Sequence, residues 1–166
     1  MDDLTQLAEQ VGAALKSRGL TLATAESCTG GWVGEVVTSV AGSSHWYDRG
    51  FITYTNESKQ EMLDVSAQTL AEYGAVSEQT VREMAAGALK HSRAHITLAI
   101  SGIAGPGGGT ADKPVGTVCI AWVALTGVGL SQVFYFQGDR SAVRRQAVVA
   151  ALQGALRMIE GETATA

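Results

Sequence analysis

Short runs of β-forming residues alternate along this chain with segments whose apolar residues return every three or four positions, and few architectures accommodate that alternation. Residues 20–25 (LTLATA), 51–55 (FITYT) and 95–100 (HITLAI) read as strands, and between them lie helical patterns. Residues 4–16 carry Leu4, Leu7, Ala8, Val11, Ala14 and Leu15 on one face and stop at Gly19. Trp32, Val33, Val36, Val37 and Val40 define a second helix. Asn56 is placed to cap a short third one carrying Met62 and Leu63. A fourth is expected over 66–73, ended by Gly74, and a fifth from an N-cap at Ser77 through residue 91. Residues 115–125 and 130–136 form a strand pair about 126–129, and Asp139 caps a last helix through Ile159. Strands interleaved with helices predict a single three-layer α/β/α domain over 1–160, its sheet made mixed by the hairpin. The tail 161–166 is expected to fray.

Composition narrows the class. The chain has 166 residues, 46% of them hydrophobic and only 17% charged, the reverse of what disorder requires. There are 20 glycines and 2 prolines, which suggests tight turns inside a compact fold. The net charge of −4 lacks the footprint of a nucleic-acid binder, so no nucleic-acid partner is expected. No apolar stretch is long enough to span a bilayer, and the acidic start lacks the pattern of a signal peptide. A cytoplasmic protein with no membrane partner is the expectation. Two cysteines, Cys28 and Cys119, make neither a disulfide framework nor a four-ligand zinc site, although one disulfide between them stays open.

In layered α/β sheets ligands sit at the carboxyl ends of strands, which points to 26–31, 54–59 and 101–114. The first is Glu26-Ser27-Cys28-Thr29-Gly30-Gly31, between a strand and a helix, without the Gly-Lys-Ser/Thr of a phosphate-binding P-loop. Ser27 is a nucleophile candidate there, or Ser27 and Thr29 are caps and the glycines packing relief. Cys28 competes as a helix-terminal thiol, or is a small buried hydrophobe. In the second, Lys59 falls in the first turn of a helix, where a cation is unfavourable. It is either a surface lysine paired with Glu57 or Glu61, or a functional group held neutral. Holding a lysine neutral at pH 7 costs about 4.6 kcal/mol, at about 1.36 kcal/mol per pKa unit. In the third, glycines could turn N–H groups toward an anion, with Lys113 adding charge. Arg140 and Arg144 share a helical face and suit phosphate, or form a solvated basic face. No histidine pair has metal-ligand spacing. His91 suits a helix carboxyl end, and only His45 could join a serine.

Taken together, AESCTGGW, GFITYTNESK, GAVSE, SGIAGPGGG…KPVGTV and GDR…VRRQA resemble the CinA C-terminal domain family, in particular its stand-alone amidohydrolases, over residues 4–158. The resemblance implies hydrolysis of the carboxamide of nicotinamide mononucleotide in pyridine-nucleotide recycling. It puts the nucleophile on Ser27 and the accompanying catalytic pair on Tyr54 and Lys59. The N-terminal domain of the larger relatives is expected to be absent here. Arg49 stands where relatives often have glycine. The joint expectation is that Ser27 attacks the amide and Lys59 takes its proton directly or through Tyr54. Backbone N–H groups from Thr29 to Gly31 hold the oxyanion. Asn56, Gly102, Gly105, Gly107, Arg140 and Arg144 are the further substrate-binding candidates. No cofactor or metal is required, and a homo-oligomer is expected. The competing class is a non-catalytic nucleotide-binding or competence-related regulatory module, and a broader amidase is a third.

Overall fold

The structure, a computed structural model, describes residues 2–165, without the side chains of 162–165. Its order is α1 (Asp3–Arg18), β1 (Leu22–Glu26), α2 (Trp32–Thr38), a 3-10 turn (Ser43–His45), β2 (Tyr47–Ile52), α3 (Asn56–Leu63), α4 (Ala67–Tyr73), α5 (Glu78–Lys90), β3 (Ile96–Gly102), β4 (Thr117–Ala124), β5 (Gly129–Tyr135) and α6 (Arg140–Thr165). The five strands lie in the order β2-β1-β3-β4-β5. β1 pairs in parallel with β2 and β3, and β4 pairs antiparallel with β3 and β5, so the sheet is mixed as expected.

Residue size sorts the two faces. Leu22, Ile96, Leu98, Ile100, Ile120 and Trp122 point to the layer of α1, α2 and α6, forming the larger core with Val11, Leu15 and Leu152. The alternate positions are small: Ala25, Ala99, Cys119 and Ala121. Small residues there let α5 lie close, and it packs Val81, Met84, Ala85 and Ala88 against them. Two glycines seat indole rings: a Cβ at Gly12 would overlap Trp46, and one at Gly154 would overlap Trp122, whose Nε1 donates to Ala151 O at 2.9 Å.

Two caps are the expected ones: Ser77 accepts from Thr80 N (3.1 Å) and Asp139 from Ala142 N (2.9 Å). Ser66, read as the first residue of its helix, caps it instead, accepting from Thr69 N (3.0 Å). Others moved. Asn56 does not cap α3: Thr55 does, in a reciprocal box with Ser58, because its backbone is extended while Asn56 is already helical. Lys59 is therefore one position further into the helix than the spacing implied. The second strand lies earlier than FITYT, since residues 53–55 leave the sheet for that cap. α6 continues as helix through 161–165, past the point assigned to a frayed tail; Ala166 lies outside the described residues. Both cysteines are free and buried, so the disulfide left open in the sequence is not formed.

α5 and α3 meet backbone to backbone. A Cβ at Gly87 would run into the carbonyl of Leu63. Gly87→Ala is expected to cost about 1–3 kcal/mol of stability as an overpacked contact. A denaturant midpoint unchanged from wild type would show that α3 can move away freely.

Candidate active site

The three loops singled out in the sequence arrive side by side at the carboxyl ends of β1, β2 and β3. Parallel pairing continues one step past β1: Ser27 N donates to Ile100 O (3.0 Å) and Thr53 N to Glu26 O (2.8 Å). That register sets Ser27 between Thr53 and Ser101, all three buried. Sequence reading gave Thr53 and Ser101 no role. Their signal was positional, a hydroxyl residue at the end of an apolar strand. Thr53 Oγ1 is buried without a hydrogen-bond partner.

Lys59 rises from α3 into this row. It is 1% exposed, and no carboxylate among the described residues pairs with it, which sets aside pairing with Glu57 or Glu61. Its Nζ lies 3.0 Å from Ser27 Oγ, 3.0 Å from Thr53 O and 3.3 Å from Tyr54 O. Two carbonyls take two N–H bonds, and the third direction faces the serine. Burial holds the Lys59 pKa below its ordinary value. A neutral amine in this place donates to both carbonyls and aims its lone pair at the Ser27 hydroxyl.

Tyr54 does not stand between these groups through its ring. Its carbonyl serves Lys59, while its 60% exposed side chain reaches out and its hydroxyl meets Arg140 Nη2 at 3.1 Å. The direct Ser27–Lys59 contact makes a relay through Tyr54 unnecessary.

Glu26 organises the loop and is the residue sequence reasoning missed. Only 2% exposed, its Oε1 accepts from Thr29 Oγ1 (2.6 Å), Gly31 N (3.2 Å) and Val33 N (2.9 Å), and its Oε2 from Gly34 N (3.0 Å). α2 has no side-chain cap at Gly31, so this carboxylate, from the end of β1, satisfies the first turn of the helix. An acid closing a run of small apolar strand residues was the available signal. The arrangement alters the expected oxyanion donors. Gly31 N–H is bound to Glu26, and Gly30 N–H donates to Ser27 O at 3.0 Å. Of the expected set, Thr29 N–H has no acceptor among the described residues, and beside it stands Cys28 N–H, which faces its own thiol.

Cys28 is not a reactive thiol: burial pushes its pKa up to about 12. Cys119 is likewise pushed up to about 11, burial being the largest cause. The remaining candidates divide. Arg140 Nη1 holds Gly105 O at 2.8 Å, tying the glycine loop to the start of α6. Arg144 reaches Cys28 O (3.0 Å) and Thr29 O (3.2 Å). A cavity of about 650 Å³ lies between these arginines, Ala104, Pro106, Val115 and Gly138. Gly102 is a ladder residue on which a Cβ would press Val118, not an open N–H donor. Gly107 is exposed in open space, and Asn56 is exposed with no side-chain hydrogen bond among the described residues. Lys113 turns away from the anion role expected of it and binds Tyr73 O at the end of α4 (2.7 Å). His45 is exposed on Gly42 O and joins no serine. Arg49 pairs with Asp48 at 2.7 Å and holds His91 O, at the opposite end of β2 from the site.

A Ser–Lys pair at the strand ends of a three-layer α/β domain defines a serine hydrolase-like site. The chain belongs to the CinA C-terminal domain family, whose model matches residues 4–159. It is 59% identical over 151 residues to the nicotinamide-nucleotide amidohydrolase PncC of Escherichia coli K12, covering 91% of this chain and 92% of that one. The protein of the same name from Pseudomonas putida is 46% identical over 158 residues, covering 95% and 98%. The crystal structure of the competence/damage inducible protein CihA from Agrobacterium tumefaciens superposes with a TM-score of 0.91 at 46% identity, over 95% of this chain and 97% of that one.

Because both thiols are buried and protonated, an alkylating reagent at pH 8 should modify neither Cys28 nor Cys119 until the protein is unfolded. Mass spectrometry of native and denatured samples checks this. Rapid labelling of native Cys28 would return the thiol to contention as nucleophile.

Proposed function

We propose that this chain hydrolyses the carboxamide of nicotinamide mononucleotide to nicotinate mononucleotide and ammonia, in pyridine-nucleotide recycling, with Ser27 as nucleophile and Lys59 as base. The observation that carries the reading is the buried Lys59 amine 3.0 Å from Ser27 Oγ. A nucleotide-binding module has no use for a lysine desolvated against a serine. The relatives that bear the amidohydrolase name cover nearly the whole chain.

Ser27 Oγ attacks the carboxamide carbon while its proton passes to Lys59 Nζ. The oxyanion forms beside the open Cys28 and Thr29 N–H groups. Lys59 then gives that proton to the amide nitrogen, the C–N bond breaks and ammonia leaves. Water, deprotonated by the same amine, attacks the ester carbonyl, and Ser27 recovers its proton as the nicotinate product departs. The ribose phosphate occupies the cavity beside Arg140, with the glycine loop around Gly105 as its wall. A cytoplasmic location and a homo-oligomer belong to the same reading. For the latter, the exposed Leu125, Val128, Leu130 and Tyr135 along the β4–β5 hairpin offer an apolar face beside the open edge of β5.

Three measurements test this. Purified protein should release ammonia from nicotinamide mononucleotide, while Ser27→Ala and Lys59→Ala fall by at least about 10³-fold, as for an activated nucleophile and its base. Tight binding by an inactive wild type would instead favour the regulatory module. Arg140→Ala should raise KM for the mononucleotide about 10–100-fold, the loss of a charged hydrogen bond of about 1.5–3 kcal/mol, and leave the riboside unaffected. The pH dependence has a defined sign. Lys59 works as the free amine, so kcat/KM rises with pH through its lowered pKa and then levels off. The unfolded chain binds a proton up to pH about 10.4 that the folded one has already lost. Wild-type stability therefore increases with pH between those two values. Lys59→Met should lack that slope in denaturant titrations run from pH 7 to 10.

A further inference from the structure

Arg144 has the composition of a phosphate ligand and the position of something else. Its guanidinium lies over the Trp32 ring, 5.4 Å from the centroid, and no carboxylate stands within ion-pair distance of it among the described residues. Both bonds it makes are to carbonyls of the nucleophile loop. We propose that Arg144 is a positioning residue that polarises the two oxyanion donors through the peptide units behind them, and that it does not bind the substrate phosphate. This rests on the amidohydrolase reading above.

Two chains of hydrogen bonds start on this side chain. Nε donates to Cys28 O at 3.0 Å, and that carbonyl belongs to the peptide unit whose N–H is that of Thr29. Nη2 donates to Thr29 O at 3.2 Å, whose unit ends in Gly30 N–H; Gly30 N–H donates to Ser27 O at 3.0 Å, whose unit ends in Cys28 N–H. One chain crosses a single peptide and the other crosses two. Both finish on N–H groups that no carbonyl or carboxylate takes among the described residues, the Cys28 N–H facing its own thiol. A cationic donor on a carbonyl draws density toward the oxygen and leaves the amide hydrogen at the far end more positive. Aligned bonds reinforce one another in a low-dielectric site. A planar fork suits both starting bonds at once, and the Trp32 ring lies beneath it. Glu26 grips the same loop from the other side through the Gly31, Val33 and Gly34 N–H groups. The loop is held by a cation on its carbonyls and an anion on its amides, and neither group needs to touch substrate.

The two roles separate kinetically. A phosphate ligand discriminates nicotinamide mononucleotide from nicotinamide riboside, whereas a polarising residue slows both alike. Arg144→Lys and Arg144→Gln are compared with wild type and Arg140→Ala on both substrates, and dissociation constants are measured in a Ser27→Ala background. Arg144→Lys keeps a charged stem over Trp32, and its melting temperature reports whether the fold is kept. The expected result is a kcat lowered about 10–100-fold on both substrates, short of the 10²–10³-fold typical of deleting an oxyanion donor outright. KM and the dissociation constants stay within about threefold of wild type. Guanidinium ion added to Arg144→Ala should restore part of the lost kcat. A KM increase confined to the phosphorylated substrate, with kcat retained, overturns the inference and makes Arg144 a phosphate ligand. An inactive wild type overturns the amidohydrolase reading and this one with it; an active wild type with kcat unchanged in both variants overturns this inference alone.

Discussion

A primary amine removed from water is the constraint around which this domain is organised. Lys59 could ionise freely on the surface of α3. Instead it points into the sheet, where burial disfavours its ammonium form and two backbone carbonyls fix the direction of its remaining valence. Those carbonyls belong to Thr53 and Tyr54, the residues at which the chain leaves β2. The strand has to end there, the helix has to start at the Thr55–Ser58 box, and Ser27 has to stand one strand away. The small residues on that face of the sheet and the close approach of α5 complete the enclosure.

The second charged group, Glu26, shows how the protein uses its own anion where a ligand's might have been expected. A loop with two glycines at the start of a helix invites the assignment of a phosphate site. Here the carboxylate at the end of β1 takes those N–H groups, which gives the loop its shape and leaves different donors open. The glycines supply backbone conformation: Gly30 and Gly31 both have positive φ, 60° and 105°.

Much of this was legible in the sequence because it is local. Periodicity and caps located nearly every helix, and the rule for strand ends named all three segments that converge. Ser27 and Lys59 were both marked, the latter by its electrostatic misfit in a first turn. The errors share a physical cause. Asn56 lost the cap to Thr55 because capping depends on which residue leaves the sheet extended, a tertiary matter. Tyr54, Lys113 and Arg144 were read from what their side chains can bind. Partners 40 to 116 residues away decided what they do bind. Glu26 went unassigned because its four partners take shape only once the loop has closed on it.

The contact between Gly87 and the Leu63 carbonyl has a consequence at a distance. Leu63 stands one helical turn beyond Lys59, so α3 is a short lever whose far end rests directly on the backbone of α5. The depth at which the amine sits beside the serine is gauged by a spacer with no side chain. Base strength and nucleophile distance could thus be tuned from a helix that supplies neither the base nor the nucleophile, by altering how thick that spacer is.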